Sequence, residues 1–362
     1  PVEAFLEPFV SFARYLPASA FIPLLILWAG VGELQKLLVI FIGSFFQLVL
    51  MVAVAVGNTR RDLVEAARSS GATILNQAVV WSVDPRLEVA FSHAGRSRMI
   101  EARRVIIATG ALERPFPIPG WTLPGVLTVG AAQTLLKSGG MLPSGRTVIA
   151  GSGPLLWLYA AQALRAGGRI EAILDTTPSG NALRAMRHAP GMLLSPLLRK
   201  GIALTREVRA QVPVVTGVTA LAAEGDTAVR SVTASTGDGR AHRYDCELLL
   251  LHQGVVPNVN LALAAGVAHR WNEAQLCWSP VIDEDGQTSV PGIAVAGDGA
   301  GIAGAWAAEQ RGRLAAAAAI KALKPEARPD EQEFRNALRR SEFGRRFLDI
   351  MYQPARQFRL PA

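Results

Sequence analysis

The chain has 362 residues, half of them hydrophobic, two cysteines and a formal net charge of +8. That length gives room for two or three domains with their own cores. Two cysteines without a CxxC pair, a histidine cluster or ligand spacing exclude a disulfide framework and a zinc or iron–sulfur site within this sequence.

The positive charge is scattered over arginines, with a concentration at Arg339, Arg340, Arg345, Arg346, Arg356 and Arg359. Glu342 and Asp349 interleave with them, which reads as a solvated helix face or a subunit contact, and no nucleic-acid partner is expected. The N-terminus lacks the charged region, short apolar run and cleavage site of a signal peptide.

In chain order, the first 58 residues are the most apolar. "FIPLLILWAG" is short and holds Pro23, while "LLVIFIGSFFQLVLMVAVAVG", Leu37 to Gly57, carries no charge for long enough to cross a membrane as a helix. A buried soluble helix is the alternative reading. Arg60 and Arg61 follow and place that end in the cytoplasm. Inner-membrane association with the remainder cytoplasmic is therefore expected, or a wholly cytoplasmic chain if the segment is not inserted. This segment together with "DLVEAARSSGA" resembles the permease subunits of sulfonate, taurine and nitrate ABC importers, with Glu65, Ala66, Ala67 and Gly71 as the EAA signature. The resemblance covers about the first 71 residues, and residues 59–71 are expected to form a junction helix.

From residue 72 the pattern changes to period-2 runs, "TILNQAVVWSVD", "RLEVAFSHAG" and "SRMIEARRVIIATG", which predict a three-stranded antiparallel meander. The last run ends in Thr109 and Gly110, a small-residue turn that lets backbone N–H groups approach a cofactor. Next, "TVIA", the turn Gly151, Ser152, Gly153, a helix opened by Pro154 and the strand "IEAILD" predict a βαβ unit. Its turn places a pyrophosphate at the helix N-terminus, and Asp175 stands where an acidic residue receives a ribose diol, favouring NAD. Leu156 replaces the third glycine of GxGxxG, so a structural βαβ without ligand stays open as the other reading.

Further on, "DCELLLLHQGVVPN" predicts a buried strand running into a Gly/Pro turn at Gly254. Cys246 reads there as a buried inert thiol and His252 as a hydrogen-bonded structural histidine; His93 reads as a hairpin-turn residue. "TSVPGIAVAGDGAGIAGAWAAEQRGRLAA" predicts a buried strand ending at Gly297 and Asp298, then an alanine-rich helix. An aspartate at a helix N-cap is the bland alternative for Asp298. No residue stands out as a catalytic acid, base or nucleophile.

"ATGALERPFPIPGWTLPGV", "GSGPLLWLYAAQALRAGG", "HQGVVPN", "AGDGAGIAGAWAAEQRGRLAA" and "YQPARQFRLPA" together resemble the alpha-type subunits of opine oxidase and D-hydroxyproline dehydrogenase and the corresponding subunit of hydrogen cyanide synthase. The likeness runs from about residue 60 to the end. It implies an α/β fold of the two-dinucleotide-binding FAD/NAD(P) Rossmann-like type. It also implies a flavin contact by Asp298, and a beta-type flavoprotein partner that oxidises the amine. The family's N-terminal GxGxxG unit is replaced by the permease-like segment, so the FAD domain is incomplete. An FAD held by the ATG and AGD turns alone lacks its pyrophosphate helix, while NAD or another adenine nucleotide is expected at the βαβ unit. The expected organisation is a permease-like segment to residue 58 and the junction helix 59–71. Then come the meander and ATG strand 72–110, an inserted nucleotide-binding domain 111–245, the returning FAD part 246–325 and a tail 326–362. The rival readings are an importer permease fragment and a fused or truncated chain without activity of its own.

Overall fold

The computed structural model describes residues 67 and 69–359. The expected membrane helix, and all of the junction helix before residue 67, lie outside the described residues. No helix among the described residues is long and apolar enough to cross a membrane. The chain divides into two compact units, Pro1–Asn76 with Thr134–Met141, and Gln77–Gln133 with Leu142–Ala362. Every strand of the described residues belongs to the second unit.

The meander forms as β1 (Val79–Val83), β2 (Glu88–His93) and β3 (Arg96–Glu101), all antiparallel, with Ala94 and Gly95 in the tight turn after His93. The third run is broken after Glu101: β3 is exposed along its whole length, and β4 (Val105–Ile107) leaves it to pair in parallel with a strand nearly 190 residues on. β5 (Ala111–Glu113) and β6 (Val126–Thr128) follow, and α1 (Val129–Gly139) begins at once.

The central layer is a five-stranded parallel sheet. Its strands are β6, β7 (Thr147–Gly151), β8 (Ala172–Asp175), β9 (Val214–Thr216) and β13 (Leu248–His252), ordered β6-β13-β7-β8-β9. β7 is buried at every position, and Leu249, Leu250 and Leu251 of β13 are buried too. Such unbroken apolar runs are what a parallel strand covered on both faces requires. β13 therefore extends this sheet beyond residue 245. Between β9 and β13 runs an antiparallel meander, β10 (Val218–Glu224), β11 (Ser231–Thr236) and β12 (Ala241–Asp245).

α2 (Pro154–Arg165) buries Leu156, Trp157, Tyr159, Ala160, Ala161 and Ala163. Leu156, which stands in place of a third glycine, is itself buried at 1% exposure. Trp157 carries the Arg209 guanidinium 5.5 Å from its ring centroid. Burial raises the Tyr159 hydroxyl to about 12, and that hydroxyl has no hydrogen-bond partner.

Two further pairings depart from the expected pattern. Val255–Pro257, expected as a turn, forms β14 antiparallel to β5, with Pro257 at its end where no ladder donor is needed. β15 (His269–Asn272) and β16 (Cys277–Pro280) make a hairpin, and β17 (Ile293–Val295) is the partner of β4. The alanine-rich helix starts only at Ala305, after a single 3-10 turn at Gly297–Ala300.

Arg114 locks these pieces together. Its guanidinium donates to the carbonyls of Gln253 (3.1 Å), Leu276 (2.7 Å) and Gln275 (2.6 Å), and burial lowers its pKa. Replacing Arg114 by Ala leaves three carbonyls short of a charged donor, so urea unfolding is expected to show a loss of about 3 kcal/mol. A loss below about 0.5 kcal/mol would show that the clamp is dispensable. Both cysteines are free and buried, and burial raises Cys246 to about 11. The native chain at pH 8 is expected to leave both unreactive toward a disulfide reagent that titrates two thiols after denaturation.

Candidate functional site

The nominated residues gather at two places. The first is where the C-terminal ends of β7, β8 and β13 meet. The order β13-β7-β8 makes the β7–β13 junction the point where the winding of the sheet reverses, the usual position of a ligand crevice in an open α/β sheet.

Gly151 ends β7 with φ 139°, and a Cβ built on it would fall on the carbonyl of His252 opposite. Ser152 donates its N–H to that carbonyl at 2.8 Å, which seals the turn against β13. Gly153 has φ 140°, and a Cβ there would stand 2.8 Å from His252 Nε2. Both positions therefore demand glycine. Pro154 sets the first turn of α2 and brings no N–H, and no side chain caps the helix. The N–H groups of Leu155 and Leu156 thus stand at an uncapped helix N-terminus with its partial positive charge.

Asp175 ends β8, and its Oδ1 accepts the Thr177 N–H at 2.9 Å. Burial pushes its pKa above the usual 3.8, opposed by the Thr177 hydrogen bonds and by Arg209. Ser152 Oγ and Thr177 Oγ1 are 2.8 Å apart. Gln253, at 1% exposure, donates from Nε2 to Thr176 Oγ1 at 2.8 Å, while its Oε1 is buried without a partner. Gly254, with φ 85°, accepts the Arg114 N–H through its carbonyl at 2.9 Å.

Beside Asp175 lies a cavity of about 890 Å³ at the ends of β8 and β9. Arg184, Arg240, Arg356 and Arg359 line it against one carboxylate, Asp238, which pairs with Arg240, so the lining is basic on balance. Its far wall is the C-terminal segment, tied down by Asn181 Nδ2 donating to the carbonyl of Gln353 at 2.8 Å. In the same segment, burial and the Asp175 charge push the Tyr352 hydroxyl to about 12.

The second place is at the ends of β4 and β17. Thr109 Oγ1 donates to the carbonyl of Asn258 at 2.8 Å, and Asn258 returns its N–H to the carbonyl of Gly110 at 3.0 Å. A Cβ on Gly299 would touch Thr109 Oγ1 at 3.4 Å, so the turn carrying Gly297 and Asp298 packs on the ATG turn. Asp298 is half-buried, and its Oδ1 accepts from Ala303 N–H at 3.4 Å. The N-cap alternative takes a different form here, because the helix proper begins seven residues later.

His252 is hydrogen-bonded, as expected, but its partner Glu113 was not foreseeable from the sequence. The two are 139 positions apart, and no local pattern joins them. Gln253 and Tyr352 were missed for the same reason. Among the described residues no group of histidine, cysteine and acidic side chains could hold a metal.

The family model described as pyridine nucleotide-disulphide oxidoreductase matches residues 43–322. A second, the binding-protein-dependent transport system inner membrane component, matches residues 1–77. The chain is 44% identical over 314 residues to an opine oxidase subunit of Agrobacterium tumefaciens (strain Ach5), covering 83% of this chain and 62% of that protein. It is 33% identical to hydrogen cyanide synthase subunit HcnB of Pseudomonas aeruginosa, over 67% of this chain and 53% of the relative. The chain thus spans about three fifths of the first relative's length and about half of the second's. Among solved structures, L-proline dehydrogenase from P. horikoshii shares the fold, with a TM-score of 0.51 at 18% identity over 75% of this chain and 47% of that one. With its βαβ turn, its returning strands and a match over residues 43–322, the chain belongs to the pyridine nucleotide-disulphide oxidoreductase family.

Proposed function

We propose that this chain is the nucleotide-binding, electron-transferring subunit of an amine-oxidising complex, of the kind formed by opine oxidase and hydrogen cyanide synthase. The observation that carries this reading is the glycine turn between β7 and α2, open at the helix N-terminus beside Asp175. Gly151, Ser152, Gly153 and Pro154 would cradle the pyrophosphate of NAD or another adenine nucleotide, with Asp175 on a ribose hydroxyl pair. The basic cavity next to Asp175 suits an anionic ligand. Gly254 gives backbone room on the β13 side of the turn.

At the second place, Thr109, Gly110, Gly297 and Asp298 suit the flavin half of FAD. Among the described residues no glycine-rich turn stands at β4 and β17 to receive its ADP half, so no step through a flavin is assigned to this chain. A bound dinucleotide would supply hydride or electron transfer; the chain's own residues bind and orient it. Amine oxidation is assigned to a beta-type flavoprotein partner, since no catalytic acid, base or nucleophile is assigned on this chain. The match of residues 1–77 to a transport-system membrane component supports inner-membrane attachment with the oxidoreductase part in the cytoplasm. The domain limits near residues 58, 71, 110, 245 and 325 belong to this proposal, with β13 returning from beyond residue 245 to complete the nucleotide-binding sheet.

The same N-terminal match favours one other reading, a permease fragment that docks on an importer ATPase. Co-purification with such an ATPase would support it. A fused or truncated chain without independent activity would bind neither nucleotide nor partner.

Calorimetry on the full chain is expected to show NAD or ADP binding in the micromolar to millimolar range. Gly153→Val is expected to abolish it, because the added side chain meets His252. Absence of heat with NAD, ADP and ATP would remove the nucleotide assignment. Absorbance in the flavin band should appear when the chain is purified with its beta partner, and a colourless complex would remove the flavoprotein assignment.

Asp175 makes a separate test of the site. Its folded pKa lies above the unfolded value, so between 3.8 and the raised value the folded chain holds more protons and stability falls as pH rises. Asp175→Asn is expected to remove that slope, raise stability at pH 7 and weaken NAD binding. Urea midpoints across pH 3 to 7, read beside NAD affinity, check both effects, and a variant that loses stability at pH 7 would contradict the argument.

A further inference from the structure

The turn between β7 and α2 faces a buried histidine hydrogen-bonded to a carboxylate. His252 is the last residue of β13, and its side chain is 1% exposed. Its Nδ1 lies 2.6 Å from Glu113 Oε1 at the end of β5. The other Glu113 oxygen, Oε2, accepts the N–H of Gly130 in the first turn of α1 at 2.7 Å. Glu113 is thus held as an anionic acceptor by a helix N-terminus on one side and the imidazole on the other.

With Nδ1 engaged, the ring has one nitrogen left, and Nε2 faces Gly153, the residue that caps α2. No hydrogen bond to Nε2 is made among the described residues. A helix N-terminus, two residues that tolerate no side chain and a buried imidazole edge therefore converge on the same small space. The remaining charged groups near the imidazole are Arg114, whose Nε is spent on the carbonyl of Gln253, and Asp175, two strands away across β7.

We propose that the Glu113–His252 pair is a proton-linked anion receptor for the diphosphate of the bound nucleotide. The inference rests on the nucleotide reading above. With Nδ1–H donated to Glu113, a neutral ring offers a lone pair at Nε2 and repels a phosphate oxygen. When Nε2 gains a proton from solvent, the same edge becomes an N–H donor toward that oxygen, and Glu113 balances the new charge at 2.6 Å. One proton enters with the anion, no covalent bond changes, and the proton leaves when the nucleotide leaves. His252 binds; Glu113 and Gly130 position it.

The sign follows from linkage. The bound state holds the imidazole proton more firmly than the free state, so binding takes up protons and affinity falls as pH rises.

ADP-ribose is the probe, because its pyrophosphate is a diester and does not itself titrate between pH 6 and 9. The full chain is titrated calorimetrically across that range in two buffers of different ionisation enthalpy. The expected result is an uptake approaching one proton per ADP-ribose and an affinity that weakens with pH. In His252→Gln the uptake is expected to vanish and affinity at pH 6 to drop about ten- to a hundredfold. In Glu113→Gln the proton uptake on binding is expected to shrink.

Uptake in the unmodified chain is the primary readout, so a variant that folds poorly does not decide the matter. Binding without proton uptake at any pH, at equal affinity in His252→Gln, would overturn the proposal and leave the nucleotide reading standing. Binding that appears only in His252→Gly would overturn it too, by showing that the ring plugs the turn. No binding in any form would remove the nucleotide reading and this inference with it.

Discussion

The close approach of β7 and β13 at Gly151 and His252 is the constraint on which this structure turns. A parallel sheet can bring two strand ends together, but here the carbonyl of one sits where the side chain of the other would be. Only a residue without a Cβ fits, and the chain then leaves that point at φ 139° with Ser152 bonded back to the same carbonyl. The helix after it is aimed by this contact. Its N-terminus stays uncapped because the turn before it is used up in packing, and an uncapped N-terminus is what an anionic ligand needs.

Around that contact, several groups sit in less comfortable states than a purely structural sheet would choose. Asp175 is desolvated, and Gln253 Oε1 and Tyr159 Oη are buried without a partner. The two unpartnered oxygens cost stability, since an unsatisfied buried polar atom loses about 1–3 kcal/mol relative to water. Elsewhere the buried strands of this sheet are built mainly from leucine, isoleucine, valine and alanine. Arg114 offsets part of that cost by tying the carbonyls of Gln253, Gln275 and Leu276 to one cation, which fixes the loop after β13 without touching the turn itself.

Local chemistry was legible in the sequence and long-range pairing was not. The βαβ unit could be read because its parts are contiguous: a buried apolar strand, a glycine turn, Pro154 at the helix start and a second strand ending in Asp175. The meander was readable for the same reason, through its period of two. The break between β3 and β4 was not, because both halves are strand-like and what separates them is a partner, β17, far along the chain. β14 was hidden by Gly254 and Pro257, which signal a turn, although its pairing with β5 is what brings Glu113 to His252. A histidine read from its own surroundings is a core residue, and only the neighbouring strand gives it an acid.

The two family matches overlap over residues 43–77, and the described structure begins within that overlap. The sequence of that overlap carries no side chain specific to one fold, so composition alone does not assign it to either family. The glycine turn at 151–153 is the opposite case: its residues are dictated by a contact about 100 positions away. The turn is therefore the place where the sequence is most tightly bound to the fold, because the constraint there is steric.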